Sequence, residues 1–120
     1  MTPLTRVEIA ALIAVIRLGA DAYGVRVHDD IEGFLGRPVS TAAVYAALER
    51  LERRTLLRTA RLAPLAVQGG RSKRLYALTA AGRACLRREQ ADATHLWQAL
   101  PRSFSRGGRQ DRGEVETPSE

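Results

Sequence analysis

Apolar positions in the first half of the chain recur at helical spacing. Thr5-Arg6-Val7-Glu8 has the form of a capping box, with Thr5 capping the first turn and Glu8 reaching back to it. The spacing predicts a helix over residues 5–18 with Ile9, Leu12, Ile13 and Ile16 on one face. Ala10, Ala11, Ala14, Val15 and Leu18 make its other sides apolar too. A helix apolar nearly all round needs cover on more than one side, either a core wrapped around it or a second subunit. Gly19-Ala20-Asp21 makes a break, and Tyr23, Val27, Ile31 and Phe34/Leu35 predict a second helix from about Ala22 to Leu35. Gly36-Arg37-Pro38 ends it. Ser40 then caps a third helix, running to Arg54, whose Val44, Ala47, Leu48 and Leu51 follow i, i+3, i+4, i+7. Its opposite side carries Thr41, Ala42, Tyr45, Glu49 and Arg53.

Beyond Arg54 the period shortens. Leu56 to Ala66 and Lys73 to Leu78 read as two strands around a tip at Gln68-Gly69-Gly70-Arg71, and in the second Arg74, Tyr76 and Leu78 alternate with Lys73, Leu75 and Ala77. Thr79 caps a fourth helix that runs to Leu100 and stops at Pro101. Along it Leu86, Gln90, Ala93, Trp97 and Leu100 are spaced 4, 3, 4, 3, a short heptad seam with one polar member. From Pro101 onward the chain is rich in Arg, Gly, Ser and Glu, a composition that predicts disorder. The fold class expected is mainly α with a small β-hairpin. A helix followed by a two-stranded loop is the layout of a winged helix-turn-helix, here over residues 4–78, with a dimerisation helix over 79–100 and a tail over 101–120.

Charge sharpens that picture. Between Arg53 and Arg88 stand ten basic residues and no Asp or Glu, and the whole chain carries a net +6. So one-sided a stretch repels itself unless a polyanion lies against it, and nucleic acid is the usual polyanion. The basic residues are 18 Arg and the single Lys73. That skew fits a GC-rich genome as well as bidentate recognition of phosphate or guanine. At 120 residues the chain has room for one modest domain. One cysteine, Cys85, excludes an internal disulfide and fits a reducing compartment. The N-terminus lacks the order of a signal peptide, and the apolar run Ile9 to Ile16 is far short of a membrane span. The expected location is the cytoplasm, at the nucleoid, without membrane contact.

Enzyme chemistry finds no support. His28 and His95 have no Ser, Asp or Cys partner at informative spacing, and Asp29-Asp30 are adjacent, so they point to different sides of a helix. No glycine-rich phosphate loop precedes a helix. Cys85 and His95 lie ten positions apart, about 80° around a helix, which leaves only Asp92 and His95 to share an ion. No metal site and no cofactor are expected, and Cys85 reads as a buried filler.

With its parts in this order, the chain resembles the PadR family of bacterial transcriptional regulators. The matching segments are Ala22-Tyr23-Gly24 at the second helix and Ser40 through Leu51, STAAVYAALERL, as the recognition helix. Further on, Gly69-Gly70-Arg71-Ser72-Lys73-Arg74-Leu75-Tyr76 matches the wing and Leu78-Thr79-Ala80-Ala81-Gly82 the opening of the last helix. The resemblance covers about residues 4 to 100 and is to the small subclass with a single C-terminal helix. It implies a repressor that binds palindromic promoter DNA as a homodimer, joined through its first and last helices. Two departures stand out. Leu62 to Val67 is more apolar than wings usually are, and Leu75 stands where the family commonly repeats an aromatic beside Tyr76.

The N-terminal part of a recognition helix enters the major groove. Here that part offers Ser40, Thr41, Ala42 and Tyr45, with no Asn, Gln or Arg, so direct base readout is thin and DNA shape carries much of the specificity. Tyr45 suits a phosphate contact or a half-buried packing role. Arg71, Lys73 and Arg74 beside the glycines suit the DNA backbone or minor groove. Arg50, Arg53 and Arg54 either join them or pair with Glu49 and Glu52 on their own helix. The expected dimer interface is Leu12, Ile16, Leu86, Ala93, Trp97 and Leu100. Trp97, with Ala93, is the candidate effector site: some PadR-like proteins bind planar aromatic compounds between their C-terminal helices. A plain interface anchor is its other reading. The partners expected are double-stranded DNA, a second copy of the chain and a small planar or aromatic effector. The alternative function is a nucleic-acid-binding module without sequence preference or effector control. Salt separates the two, because nonspecific binding collapses equally on all sequences.

Overall fold

The capping box forms as the first residues dictate. The Thr5 hydroxyl accepts from the Glu8 amide at 3.1 Å, and the Glu8 carboxylate accepts from the Thr5 amide at 2.9 Å. It opens α1, Arg6–Leu18, in a computed structural model that describes residues 2–61 and 74–106. The chain divides into two compact units, residues 1–89 and residues 90–120.

In the first unit α1 buries Ala11, Leu12 and Val15 with Glu8, Ala10 and Ala14. That face is rotated from the one expected, since Ile13 and Ile16 stand outside at 37% and 47% exposure. On a helix apolar all round, periodicity cannot choose a face. The alanines decide it, because their short side chains let α2 and α3 approach α1 closely. A single 3-10 turn, Gly19–Asp21, follows, and α2 is Gly24–Leu35. The helix begins two residues later than expected because Ala22 and Tyr23 are held in extended form against the second strand. The Ala22 carbonyl accepts from the Tyr76 amide at 2.9 Å, and Tyr23 bridges Leu75. Arg17 ties α1 to α2 through Asp30 at 2.8 and 3.2 Å. Gly36 ends α2 at φ 69°, a left-handed cap for which glycine costs least.

Ser40 caps α3, Thr41–Arg53, by accepting from the Ala43 amide at 3.1 Å. Val44, Ala47, Leu48 and Leu51 are all fully buried, as their spacing requires. Strands β1, Leu57–Arg61, and β2, Arg74–Leu78, pair antiparallel with Leu57 opposite Leu78 and Thr59 opposite Tyr76. The expected extension of the first strand to Ala66, the tip Gly69-Gly70, and Arg71 and Lys73 lie outside the described residues. The last long helix, α4, is Ala80–Gln98. Thr79 caps it by accepting from the Gly82 amide at 2.9 Å and donates to the Thr55 carbonyl at 2.7 Å. A Cβ on Gly82 would collide with the Leu56 carbonyl oxygen, so the helix start is docked tightly on the turn between α3 and β1. Cys85 is buried in the same core, and Leu86 packs partly against it.

In the second unit α4 ends two residues short of Leu100, and Pro101 is followed by a short helix, α5, Arg102–Arg106. The stretch from Pro101 onward, expected to be disordered, holds this short helix among its described residues. The Phe104 amide donates to the Pro101 carbonyl, three positions back, at 3.0 Å; residues 107–120 lie outside the described part. Among the described residues no helix is long and apolar enough to cross a membrane.

Candidate nucleic-acid interface

Burying one side of α3 turns Thr41, Ala42, Tyr45, Ala46, Glu49 and Arg53 outward. With the start of α2 and the side of β2, most of that face lines an open concavity of about 1390 Å³ in the first unit. Tyr45 closes one part of it. A Cβ on Gly24 would lie 2.5 Å from the Tyr45 ring, so the absence of a side chain at Gly24 is what admits the ring beside α2. Tyr45 nonetheless stays 39% exposed. Its ring thus fills the packing role while the residue remains on the open face.

The turn between α2 and α3 is held by side chains of α2. The Val39 amide donates to the Glu32 carboxylate at 2.9 Å, and the His28 Nε2 lies 2.8 Å from the Val39 carbonyl. The Thr41 hydroxyl is 3.5 Å from the same nitrogen. His28 Nδ1 faces the Asp29 carboxylate at 3.1 Å. The hydrogen bond to the Val39 carbonyl and that to Asp29 raise the His28 pKa above its usual value, against a smaller effect of burial, and the charges of Glu32 and Asp29 add to the rise. Sequence reasoning passed over this group. The available signal was the i, i+4 spacing of His28 and Glu32 on the helix that precedes the Ser40 cap. The ligand-type atoms of His28, Asp29 and Glu32 lie within 4.8 Å of one another. With Nε2 committed to Val39, the group is a hydrogen-bond hub.

The basic residues are distributed unevenly. Arg74, expected on DNA, donates to Glu52 at 3.2 Å, and Glu52 also accepts from the Thr59 hydroxyl at 2.9 Å. This ties the base of the hairpin to α3, and the Arg74 side chain keeps 44% exposure. Arg50 reaches neither Glu49 nor Glu52 but crosses to Glu8 on α1 at 2.7 Å. Arg54 donates to the Thr2 carbonyl at 2.9 Å. Arg53 is exposed and lines the concavity. Glu8 is almost wholly buried. Burial opposes its charge, but hydrogen bonds from the Arg50 side chain and the Thr5 amide outweigh that and hold its pKa below the usual carboxyl value.

Of the residues expected at a dimer interface, Leu12 is fully buried within its own chain, carried inward by the rotation of α1 that buries the alanines. Ile16 is open, and Leu86 is half-buried. In the second unit Ala93 is exposed, Trp97 is 66% exposed and Leu100 38% exposed. Leu96, Trp97, Ala99, Leu100 and Pro101 surround an apolar depression of about 350 Å³. Leu96 and Phe104, at 70% and 64% exposure, add apolar surface that the heptad spacing did not include.

The sequence matches the family model described as the transcriptional regulator PadR-like family over residues 12–88. That span runs from within α1 through both strands into α4. Among curated proteins none matches. Among solved structures, the chain is similar to one from a study of how 6-hydroxynicotinic acid regulates DNA binding by Bordetella bronchiseptica BpsR. The two are 24% identical with a TM-score of 0.59, over 83% of this chain and 70% of the other. That likeness is one of fold.

Proposed function

Because the chain belongs to the transcriptional regulator PadR-like family, we propose that it is a sequence-specific repressor that binds palindromic promoter DNA as a homodimer. The observation that carries the reading is the two-sidedness of α3. Four residues are sealed in the core while Thr41, Ala42 and Tyr45 stand open on its first two turns, ahead of a basic hairpin. Docked in the major groove, that end of α3 meets base edges, and Thr41 and Ala42 are suited to a hydroxyl contact and a thymine methyl. Ser40 contributes through the cap it makes, and Tyr45 through a phosphate. Arg71 and Lys73, just after the Gly69-Gly70 pair in the sequence, and Arg74 at the start of β2 supply backbone contacts that position without reading sequence. The second copy joins through the helix of residues 5–18 and the helix of residues 79–100, using Ile16, Leu86, Ala93, Trp97 and Leu100. The site of action is the cytoplasm, at the nucleoid.

A small planar effector fits the same reading. BpsR is regulated by 6-hydroxynicotinic acid, a planar heteroaromatic acid. In this chain the exposed Trp97, over an apolar depression, offers a stacking surface for such a compound. A ligand there would change the spacing of the two DNA-reading heads, which must match half-sites about one helical turn apart.

Substitutions separate the roles. Arg71→Ala and Lys73→Ala should weaken binding to every DNA sequence and flatten its salt dependence. Thr41→Ala should instead narrow the gap between operator and random DNA, by roughly three- to tenfold for one lost hydrogen bond. Loss of sequence preference from the hairpin changes with Thr41→Ala neutral would reverse the assignment.

A further inference from the structure

The turn that presents α3 is pinned at one residue, Val39, and both of its backbone groups are taken by side chains of α2. Glu32 accepts the Val39 amide proton at 2.9 Å, and His28 Nε2 meets the Val39 carbonyl at 2.8 Å. Val39 immediately precedes Ser40, the cap of α3, and Thr41, its first residue. Two hydrogen bonds in opposite senses fix both the position and the rotation of one peptide segment, much as a strand partner would. We propose that His28 is a positioning residue for DNA reading: by holding the Val39 carbonyl it sets where Ser40 and Thr41 meet the base edges. The proposal rests on the DNA-binding function above.

The hydrogen-bond chemistry makes this clamp sensitive to protons. The Val39 carbonyl can only accept, so Nε2 must carry a proton. Nδ1 then faces the Asp29 carboxylate at 3.1 Å, also an acceptor. Only the imidazolium, with a proton on each nitrogen, satisfies both partners. When one proton leaves, the ring either keeps Val39 and sets a lone pair against Asp29, or keeps Asp29 and releases Val39. The charged groups acting on the ring are Asp29 and Glu32, both on α2, and both favour the cation; the turn and α3 offer the Val39 carbonyl and the Thr41 hydroxyl. The direction of the shift agrees, since the folded chain holds the His28 proton more tightly than an unfolded one. The clamp is therefore complete below the ordinary imidazole range and is lost as pH rises through the raised value. Asp29 is 69% exposed and free to turn into solvent, so the loss is partial.

The test is the ratio of operator to scrambled-DNA affinity, measured from about pH 5.5 to 8.5 around the imidazole range. It is run on wild type, His28→Gln and His28→Leu. A glutamine amide can still donate to Val39 but does not titrate. For wild type the ratio should fall roughly threefold as pH rises, one weakened hydrogen bond's worth. His28→Gln should hold a flat ratio over the same range, and His28→Leu a low one throughout. In the free protein, the amide signals of Val39 and Thr41 should move with the same midpoint as the His28 ring. Equal pH slopes in wild type and His28→Gln would overturn the proposal, as would Val39 and Thr41 amides that stay still while the ring titrates. If wild type prefers no sequence at any pH, the DNA-reading role fails outright, and the amide titration then shows separately whether the clamp itself exists.

Discussion

At the scale of single residues, Glu8 joins two helices of the first unit. It closes the capping box of α1 and receives Arg50 from α3, 42 positions away. The capping box was legible in four consecutive residues. The ion pair was not, because a contact between distant positions leaves no periodic trace, and the nearer Glu49 and Glu52 offered Arg50 an obvious local alternative. The same holds for Gly24 and Tyr45, whose fit depends on how two helices meet. Arg50→Ala should strand the buried Glu8 carboxylate and cost about 1–3 kcal/mol, less than a fully buried pair because the Arg50 side chain is 42% exposed. Glu8 has a lowered pKa, so its contribution is present above the ordinary carboxyl range and is lost as pH falls through the folded value. Thermal melts of both proteins at neutral and strongly acidic pH should show the gap between them shrinking in acid. A gap that persists unchanged would place the stabilisation elsewhere.

At the scale of elements, the strongest sequence signals were the ones with a single apolar face. The buried set of α3 was readable residue by residue. For α1 the signal was too uniform, and which side faced the core depended on alanines accepting close neighbours. The start of α2 was misplaced because Ala22 and Tyr23 are captured by β2, a pairing across some 50 positions. The open side of α1, Ile13 and Ile16, and the open apolar residues around Trp97 are what a second copy would cover. Leu86 is a poor probe of that interface because it also packs on the core. Ile16→Glu and Leu100→Glu avoid that overlap, since both positions are open in one chain. Each should halve the mass seen by light scattering while the helical signal is kept. An unchanged mass in both variants would rule out the proposed interface.

At the scale of the whole molecule, order and charge together made the chain readable: three helices, a basic hairpin and one long helix, with ten basic and no acidic residues from Arg53 to Arg88. The structure adds how that charge is apportioned. Arg54 and Arg74 are tied to a backbone carbonyl and to Glu52. Arg53 stands on the open face. The open end of α3 has hydroxyls and methyl groups but no amide or guanidinium, so its base contacts are few. The account therefore depends on a modest, sequence-dependent margin above a large electrostatic background. The direct measurement is a salt series of binding titrations with the DNA upstream of the protein's own gene and a scrambled control. Affinity for both should fall steeply with salt, while the upstream DNA keeps a margin of roughly tenfold or more at physiological ionic strength. Equal affinities that collapse together at every salt concentration would contradict a sequence-specific regulator and leave a general nucleic-acid-binding module.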